Sequence, residues 1–196
     1  MVRVRTSRNR WKNTGMLFIL IAVIILLYPF LTDINAWISQ GEYMEQMEQQ
    51  SGVTTDGAGG LIMPNSGGIA PWAQLEIPEL GLKLVVVEGT SKEALMQGPG
   101  WYTQTALPGQ GNTAIAGHLN VYGSPFRNIN ELKAGSVIIL TYHNQSYRYQ
   151  VEQVVSIDSD DWTLINPCGY NALTLTTCTL EGKDRRVAVR SKMIEE

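Results

Sequence analysis

A continuous apolar run near the N-terminus is the feature that most limits what this chain can fold into. Residues 15–31 carry no charged side chain, and their 17 residues are close to the minimum for a helix that crosses a bilayer. The alternative is a cleaved signal peptide, whose apolar core is usually shorter and ends at a small-x-small site. Here the run ends in the bulky segment LYPFL, so it predicts a retained signal anchor.

Charge on the two sides of this run predicts the orientation of the chain. Five positive residues and no acidic residue precede the run: Arg3, Arg5, Arg8, Arg10 and Lys12. By the positive-inside rule we expect a cytoplasmic N-terminus and an extracellular domain after the run, as in a single-pass membrane protein. Ten of the 15 Lys and Arg and all 18 Asp and Glu follow the run, a formal charge of −8. This acidic exterior gives no support to a nucleic-acid partner.

Composition divides the chain into four segments. Residues 1–13 form a cytoplasmic basic segment, and residues 14–32 form the transmembrane signal anchor. Residues 33–70 are predicted as an extracellular linker, in which 34–50 could continue as a short helix. The stretch SGVTTDGAGGLIMPNSGG, residues 51–68, is rich in Gly, Ser and Thr and reads as a flexible spacer. Residues 71–196 are long enough to form one domain with its own core.

Short β-like runs dominate that domain. The helical signals are weaker, namely 91–97, with Ser91 as N-cap and Gly98 as its stop, and one or two turns within 125–132. The segment HNQS is a hairpin signal between two of the strands. Many short strands with little helix predict a closed β-barrel. The predicted strands are 74–77, 82–87, 113–118, 136–142, 147–157, 172–178 and 186–193.

Cys178 ends the strand ALTLTTC and is a candidate nucleophile. With a period of two, Leu173 and Leu175 face one side, while Thr176 and Cys178 face the other. The leucine side is expected to enter the core, which leaves Cys178 on a small, polar face at a strand end. A disulfide with Cys168 is the alternative, because two cysteines in an oxidising compartment commonly pair. The residues alone leave both readings open.

A nucleophilic cysteine needs a proton partner and stabilisation of negative charge. His118 closes the strand TAIAGH, so it can meet Cys178 at one rim of a barrel, whereas His143 in the hairpin turn reads as solvated or structural. Arg186 begins the strand after Cys178 and can stabilise a thiolate or an oxyanion, whereas Arg185 reads as a surface charge. Two Cys and two His lack zinc-ligand spacing, and no metal site or cofactor is predicted.

These residues together resemble the sortases, the Gram-positive cysteine transpeptidases. The segment TLTTC is similar to the family's T-L-x-T-C signature, and AIAGH is similar to the strand that ends in its catalytic histidine. Arg186, directly before VAV, matches the arginine that opens the last strand. Residues 75–101 are similar to the family's early strands and first helix. The resemblance covers residues 72–192, essentially the whole domain.

The resemblance implies an eight-stranded sortase β-barrel and a mechanism. Cys178 would cleave the Thr–Gly bond of an LPxTG-like sorting signal, Arg186 would stabilise the oxyanion, and His118 would protonate the leaving glycine. An amine of peptidoglycan or of a pilin would then resolve the acyl-enzyme and anchor the surface protein to the cell wall. By the same match Ala116 and Thr176 would line the sorting-signal groove. Residues 158–171 would be the specificity loop. From its position after the acidic stretch DSDD alone, Trp162 reads as either a loop anchor or part of a substrate wall.

The sequence leaves alternatives for the subclass of sortase and for the overall role of the protein. GHLNVYGSPF after the histidine resembles class D or class E enzymes, and LLYPFLTDINAW resembles the anchor exit of class C enzymes; class D-like is preferred. Calcium helps many family members, but the sequence shows no clear calcium site. A second hypothesis is a non-catalytic, disulfide-stabilised surface domain that binds the cell wall. A third is a hydrolase that releases surface proteins.

Overall fold

The computed structural model describes residues 7–52, 69–179 and 182–194. Within these ranges one long helix precedes a domain built mainly of strands. The helices are α1 (Ser7–Gly52) and α2 (Lys92–Leu95), and short 3-10 helices cover Pro78–Leu80, Ile129–Glu131 and Thr163–Ile165. The strands are β1 (Pro71–Ile77), β2 (Leu82–Glu88), β3 (Gly100–Trp101), β4 (Asn112–Ala116), β5 (Val137–Tyr142), β6 (Gln145–Asp158), β7 (Ala172–Thr179) and β8 (Gly182–Met193).

The strands close into a barrel in the order β1-β2-β3-β4-β7-β8-β6-β5. Most neighbours are antiparallel, but the β2–β3 and β4–β7 pairs are parallel. The β4–β7 pair joins strands that lie far apart in the sequence, with Ala116 opposite Thr176. The prediction of a mainly β, eight-stranded closed barrel with short helices is confirmed.

Alternate residues of the central strands fill the barrel. Ile115 of β4, Leu175 of β7 and Val189 of β8 are fully buried in one cluster, and the strand registers place them side by side. Successive side chains of a strand point to opposite faces. Ala116 and Thr176 therefore face the outer side of the barrel wall, and for Thr176 this is the face that the alternation of β7 predicted.

Local sequence signals explain the turns that connect these strands. Ser91 accepts a hydrogen bond from the Ala94 N–H at 3.2 Å, which confirms it as the N-cap of α2. His143 and Asn144 both have positive φ, of 48° and 60°, between β5 and β6. Two such residues form the type of tight turn whose twist matches a hairpin. The predicted HNQS hairpin is therefore present.

Helix α1 contains the apolar run and continues well beyond it. Within Thr14–Gln49 its length and hydropathy are those of a helix that can cross a membrane. Large apolar side chains of the run are exposed, among them Leu26 and Phe30. This agrees with the predicted N-terminal membrane helix.

The second half of α1 docks on the barrel. Tyr43 is buried and packs with Val85 and Val87 of β2. The Gln40 side-chain oxygen accepts a hydrogen bond from the Val85 N–H at 2.8 Å, and its amide nitrogen donates to the carbonyls of Val85 and Gln97, each at 3.0 Å. Gln40 thus satisfies backbone groups that no strand pairs.

Part of the segment predicted as a linker, residues 33–70, is helical and packs on the barrel. Residues 33–52 continue the helix, as the sequence allowed, and Ala36 is buried against the barrel. The spacer predicted over residues 51–68 lies, from residue 53 onwards, outside the described residues.

Candidate active site

The three residues predicted to be catalytic lie at the same end of three consecutive strands. His118 follows β4, Cys178 is near the end of β7, and Arg186 is in β8, which begins at Gly182 and not at Arg186 as predicted. Cys178 is directly opposite Arg186 in the antiparallel β7–β8 pair. The Gly117 N–H donates to the Thr176 carbonyl at 3.0 Å, which continues the parallel β4–β7 register and puts His118 level with Cys178. Neighbouring strands are about 4.8 Å apart, so His118 and Arg186 are each immediate neighbours of Cys178, on its two sides.

The site lies on the outer face of the barrel wall. Cys178 is two residues beyond Thr176 in β7 and shares its face, whereas Leu175 points into the core. Cys178 is exposed, so a bulky substrate can reach its thiol from solvent. The barrel interior supplies rigidity beneath the site.

His118 is half-buried and its backbone is fixed by the buried core. The Phe126 N–H donates to the His118 carbonyl at 3.0 Å, and Phe126 is fully buried. The ring of Tyr122 lies 5.2 Å from the imidazole, centroid to centroid. Burial lowers the pKa of His118 from its ordinary value of 6.5. The neutral imidazole, which can accept a proton, is therefore favoured at neutral pH.

Arg186 is the positive group beside the thiol. Its side chain is half-buried, and its guanidinium carbon lies 5.0 Å from the centroid of the Trp162 ring. Neither of the ion pairs formed among the described residues involves Arg186. Its charge is therefore not neutralised by a carboxylate there and can stabilise negative charge that develops on a bound group.

Ala116 and Thr176 form a small-residue floor next to the thiol. They lie opposite each other in the β4–β7 pair and are both buried. Tyr102 borders this floor, since its hydroxyl lies 3.3 Å from Thr176 Oγ1 and it belongs to the same buried cluster as Ala116 and Ile165. The roles of Tyr102 and Ile165 are not predictable from the sequence, because their positions depend on how loops pack over the strands.

The two cysteines are free, and the alternative of a Cys168–Cys178 disulfide is wrong in this structure. Cys168 precedes β7, whereas Cys178 lies near its far end. The strand rises about 20 Å between Ala172 and Cys178, at about 3.3 Å per residue. A disulfide needs its Cα atoms within about 7 Å. The Cys168 thiol instead donates to the Tyr170 carbonyl at 3.4 Å.

The remaining candidates have structural contacts. Arg185 is exposed and pairs with Asp158 at 3.4 Å, as predicted for a surface charge. His143 stacks on Tyr142, with ring centroids 4.1 Å apart. Across the described ranges, no three His, Cys, Asp or Glu side chains come together as a group of metal ligands.

Comparison with known proteins identifies the fold's family. The family model for the sortase domain matches residues 75–194, which is more than half of the chain and almost the whole barrel. The chain belongs to the sortase family. The resemblance drawn from TLTTC, AIAGH and Arg186 is thereby confirmed at the level of the family.

Several sortases are similar to this one. Sortase SrtE1 of Streptomyces coelicolor is 32% identical over 203 residues, covering 93% of this chain and 56% of the relative. The solved Clostridium perfringens Sortase D5 transpeptidase superposes with a TM-score of 0.64 at 26% identity, covering 80% of this chain and 96% of that one. The Streptomyces coelicolor Sortase E1 structure with a tripeptide in its active site has a TM-score of 0.59 at 30% identity, covering 64% and 88%. The chain spans little more than half the length of the curated relatives it matches.

In this sortase a buried polar cluster holds the loop between β6 and β7. Asn112, Thr174 and Arg190 are all buried on the outer face of the barrel. Arg190 Nε donates to Thr174 Oγ1 at 2.9 Å, and the Asn112 amide donates to the Leu164 carbonyl at 2.9 Å. Arg190 also donates to the Leu164 carbonyl. Sequence alternation puts Arg190 on the face of Arg186, but only the packed loop explains why a charged residue is buried there.

Proposed function

We propose that this sortase is a cysteine transpeptidase that cleaves an LPxTG-like sorting signal of surface proteins and transfers the acyl group to an amine of peptidoglycan or of a pilin. The observation that carries the proposal is the alignment of His118, Cys178 and Arg186 on three neighbouring strands at one rim. A nucleophile, a proton carrier and an oxyanion-stabilising cation are the groups that acyl transfer through a covalent intermediate requires.

The acylation step follows from the properties of these three side chains. Cys178 Sγ attacks the Thr carbonyl carbon of the sorting signal, and the neutral imidazole of His118 accepts the thiol proton. The carbonyl oxygen becomes an oxyanion beside the Arg186 guanidinium. When the Thr–Gly bond breaks, His118 returns the proton to the leaving glycine nitrogen, and a thioester remains on Cys178.

The second step reverses these roles. The acceptor amine attacks the thioester carbon, a new amide bond forms, and the bond to Cys178 breaks. His118 takes the proton lost by the amine and returns it to the thiolate. Because water can attack the same thioester, the access of amine relative to water decides between transfer and hydrolysis.

The outer face next to Cys178 suits an extended peptide. Ala116 and Thr176 are small, so a peptide backbone can approach the barrel wall, and Tyr102 provides an aromatic wall beside them. We assign Ala116 and Thr176 to the groove for the sorting signal. Specificity would then come from the loop of residues 158–171, which lies over the same face.

Membrane attachment would bring enzyme and substrates together. In this proposal α1 spans the membrane with its basic N-terminus in the cytoplasm and the barrel outside. Docking of α1 on β2 by Gln40 and Tyr43 would hold the barrel close to the membrane surface. The enzyme would then encounter surface proteins and amine acceptors as they emerge from the membrane.

The test uses the full-length chain in detergent micelles. A panel of fluorogenic LPxTG-type peptides is incubated with the parent, Cys178→Ala and Cys168→Ser, with and without hydroxylamine. Cleavage that needs Cys178, survives Cys168→Ser and accelerates with hydroxylamine would support an acyl-enzyme and transfer. Full cleavage by Cys178→Ala would refute the proposal, and cleavage that no added amine accelerates would indicate a hydrolase.

A further inference from the structure

The Arg186 side chain contacts an aromatic ring, that of Trp162, and not an acidic side chain. Its guanidinium carbon lies 5.0 Å from the centroid of the Trp162 ring, which is the geometry of a cation–π contact. The described residues supply no carboxylate in ion-pair contact with it. By contrast, the neighbouring Arg185 is paired with Asp158. The two adjacent arginines therefore differ in whether their charge is already compensated.

An aromatic partner suits an arginine that has to bind an oxyanion. A guanidinium carries its five N–H donors in its plane. A carboxylate would accept hydrogen bonds from those donors and neutralise the charge, whereas an indole ring carries no charge that could do so. Trp162 can therefore restrict Arg186 without competing with the group that Arg186 is proposed to stabilise.

Trp162 is itself held in place by the wall of the groove. Its ring meets Tyr102 edge to face, with centroids 6.0 Å apart and an interplanar angle of 82°. The Tyr102 hydroxyl in turn lies 3.3 Å from Thr176 Oγ1. Trp162 thus connects the floor residue Thr176, through Tyr102, to the guanidinium of Arg186.

The loop that carries Trp162 is anchored from below. The Trp162 carbonyl accepts a hydrogen bond from the Ile165 N–H at 3.1 Å, at the 3-10 helix Thr163–Ile165. Ile165 packs against Ala114 and Ala116 on the barrel wall. The buried Asn112, Thr174 and Arg190 cluster binds the Leu164 carbonyl from the same wall. A residue with 45% of its surface exposed is therefore supported by a buried scaffold.

We infer that Trp162 is a positioning residue for Arg186, holding the guanidinium beside Cys178 through the face of its indole ring. The inference rests on the proposed function, because Trp162 can have this role only if Arg186 stabilises the oxyanion. Loss of the ring would let Arg186 sample other rotamers. The expected result is a lower kcat with a smaller change in KM, since the contact matters most when the oxyanion forms.

The experiment compares Trp162→Phe and Trp162→Leu in the full-length chain, each alone and combined with Arg186→Ala. For every variant, kcat and KM are measured on an LPxTG-type peptide, and acyl-enzyme formation is also followed by intact mass over minutes to hours, so that variants with slow turnover are still compared with the parent. A partly exposed cation–π contact corresponds to a loss of about 2- to 5-fold in kcat for Trp162→Leu. Trp162→Phe should recover part of this loss, because it keeps an aromatic face. The matched control is Trp37→Leu on α1, whose side chain is 79% exposed.

The double variant separates the inference from the proposed function. If Trp162 acts through Arg186, Trp162→Leu has no further effect on kcat once Arg186 is alanine. An equal loss in both backgrounds, or a Trp162→Phe variant as slow as Trp162→Leu, would overturn the inference while leaving the proposed function intact. An acyl-enzyme that still forms at the parental rate in Cys178→Ala would instead overturn the proposed function. Equal melting temperatures of the variants would show that the losses do not come from unfolding.

Discussion

Replacing Gly117 by alanine tests how the core positions His118. An added Cβ at Gly117 would lie 2.5 Å from Cδ2 and 2.6 Å from Cγ of Phe126. Its backbone φ lies outside the left-handed region, so the requirement for glycine comes from the lack of space. His118 directly follows Gly117, and the Phe126 ring that the added Cβ would meet is fully buried.

The structure sets the size of the expected effect. Carbon atoms pack at about 3.5 Å, so the Phe126 ring or the Gly117 backbone must move by about 1 Å. If the ring moves, it enters a close-packed core, and such overpacking costs about 1–3 kcal/mol of unfolding free energy. If the backbone moves, His118 shifts with it, and a displacement of about 1 Å at a reacting group can cost about 100-fold in rate. Gly117→Ala therefore lowers stability, activity or both.

Two measurements on the full-length chain in detergent distinguish these outcomes. Urea unfolding followed by tryptophan fluorescence gives the stability of the barrel, and kcat/KM on an LPxTG-type peptide gives the activity. Gly41→Ala is the matched control, because its added Cβ meets no atom within 4 Å. On the helix α1 it should be neutral or stabilising by up to about 1 kcal/mol. A Gly117→Ala variant within about 0.5 kcal/mol of the parent in stability and within about twofold in kcat/KM would refute the packing argument.

Three further predictions follow from the described contacts. Because burial lowers the pKa of His118, its imidazole stays neutral until the pH falls below about 6.5. The acidic decline of the kcat/KM pH profile should therefore lie below pH 6.5. A decline centred above pH 6.5 would contradict the role assigned to His118. Gln40→Ala removes three hydrogen bonds to the barrel and should lower the free energy of unfolding in urea by about 1–2 kcal/mol. Gln46→Ala, at an exposed position of α1, should leave it unchanged. Equal urea midpoints for the two variants would refute the docking. Titration with a thiol reagent under denaturing, non-reducing conditions should find two free thiols, and Cys168→Ser should keep at least about half of the parental activity while Cys178→Ala loses it. No titratable thiol, the result of a Cys168–Cys178 disulfide, would contradict the separation along β7.

Much of the candidate site could be predicted because its residues stand at strand ends. The alternation in ALTLTTC put Cys178 on the face opposite the leucines, and the structure has Leu175 in the core and Cys178 exposed. The end of the apolar run TAIAGH predicted His118 at a strand end, and in the structure it lies two residues after β4. Period-two alternation is a local property of the backbone, so it can be read without knowing the partner strands.

The contacts that surround these residues could not be predicted in the same way. The sequence does not distinguish whether Trp162 anchors a loop or lines a substrate site, and the structure places its ring against both Tyr102 and Arg186. The burial of Arg190 depends on the Leu164 carbonyl, which comes from a loop 26 residues earlier. Such contacts depend on where loops return to the barrel, and loop composition carries little information about that.

The sequence by itself determined the apolar helix, the strand alternation and the residues available for chemistry, since each depends on neighbouring positions along the chain. Only the tertiary structure decided that β4 and β7 run side by side, which makes His118 and Cys178 neighbours although 60 positions separate their numbers. It also decided that α1 docks through Gln40 and that Phe126 leaves no room for a side chain at Gly117. These features depend on which distant segments meet when the barrel closes and buries its core, and a local pattern in the sequence does not contain that information.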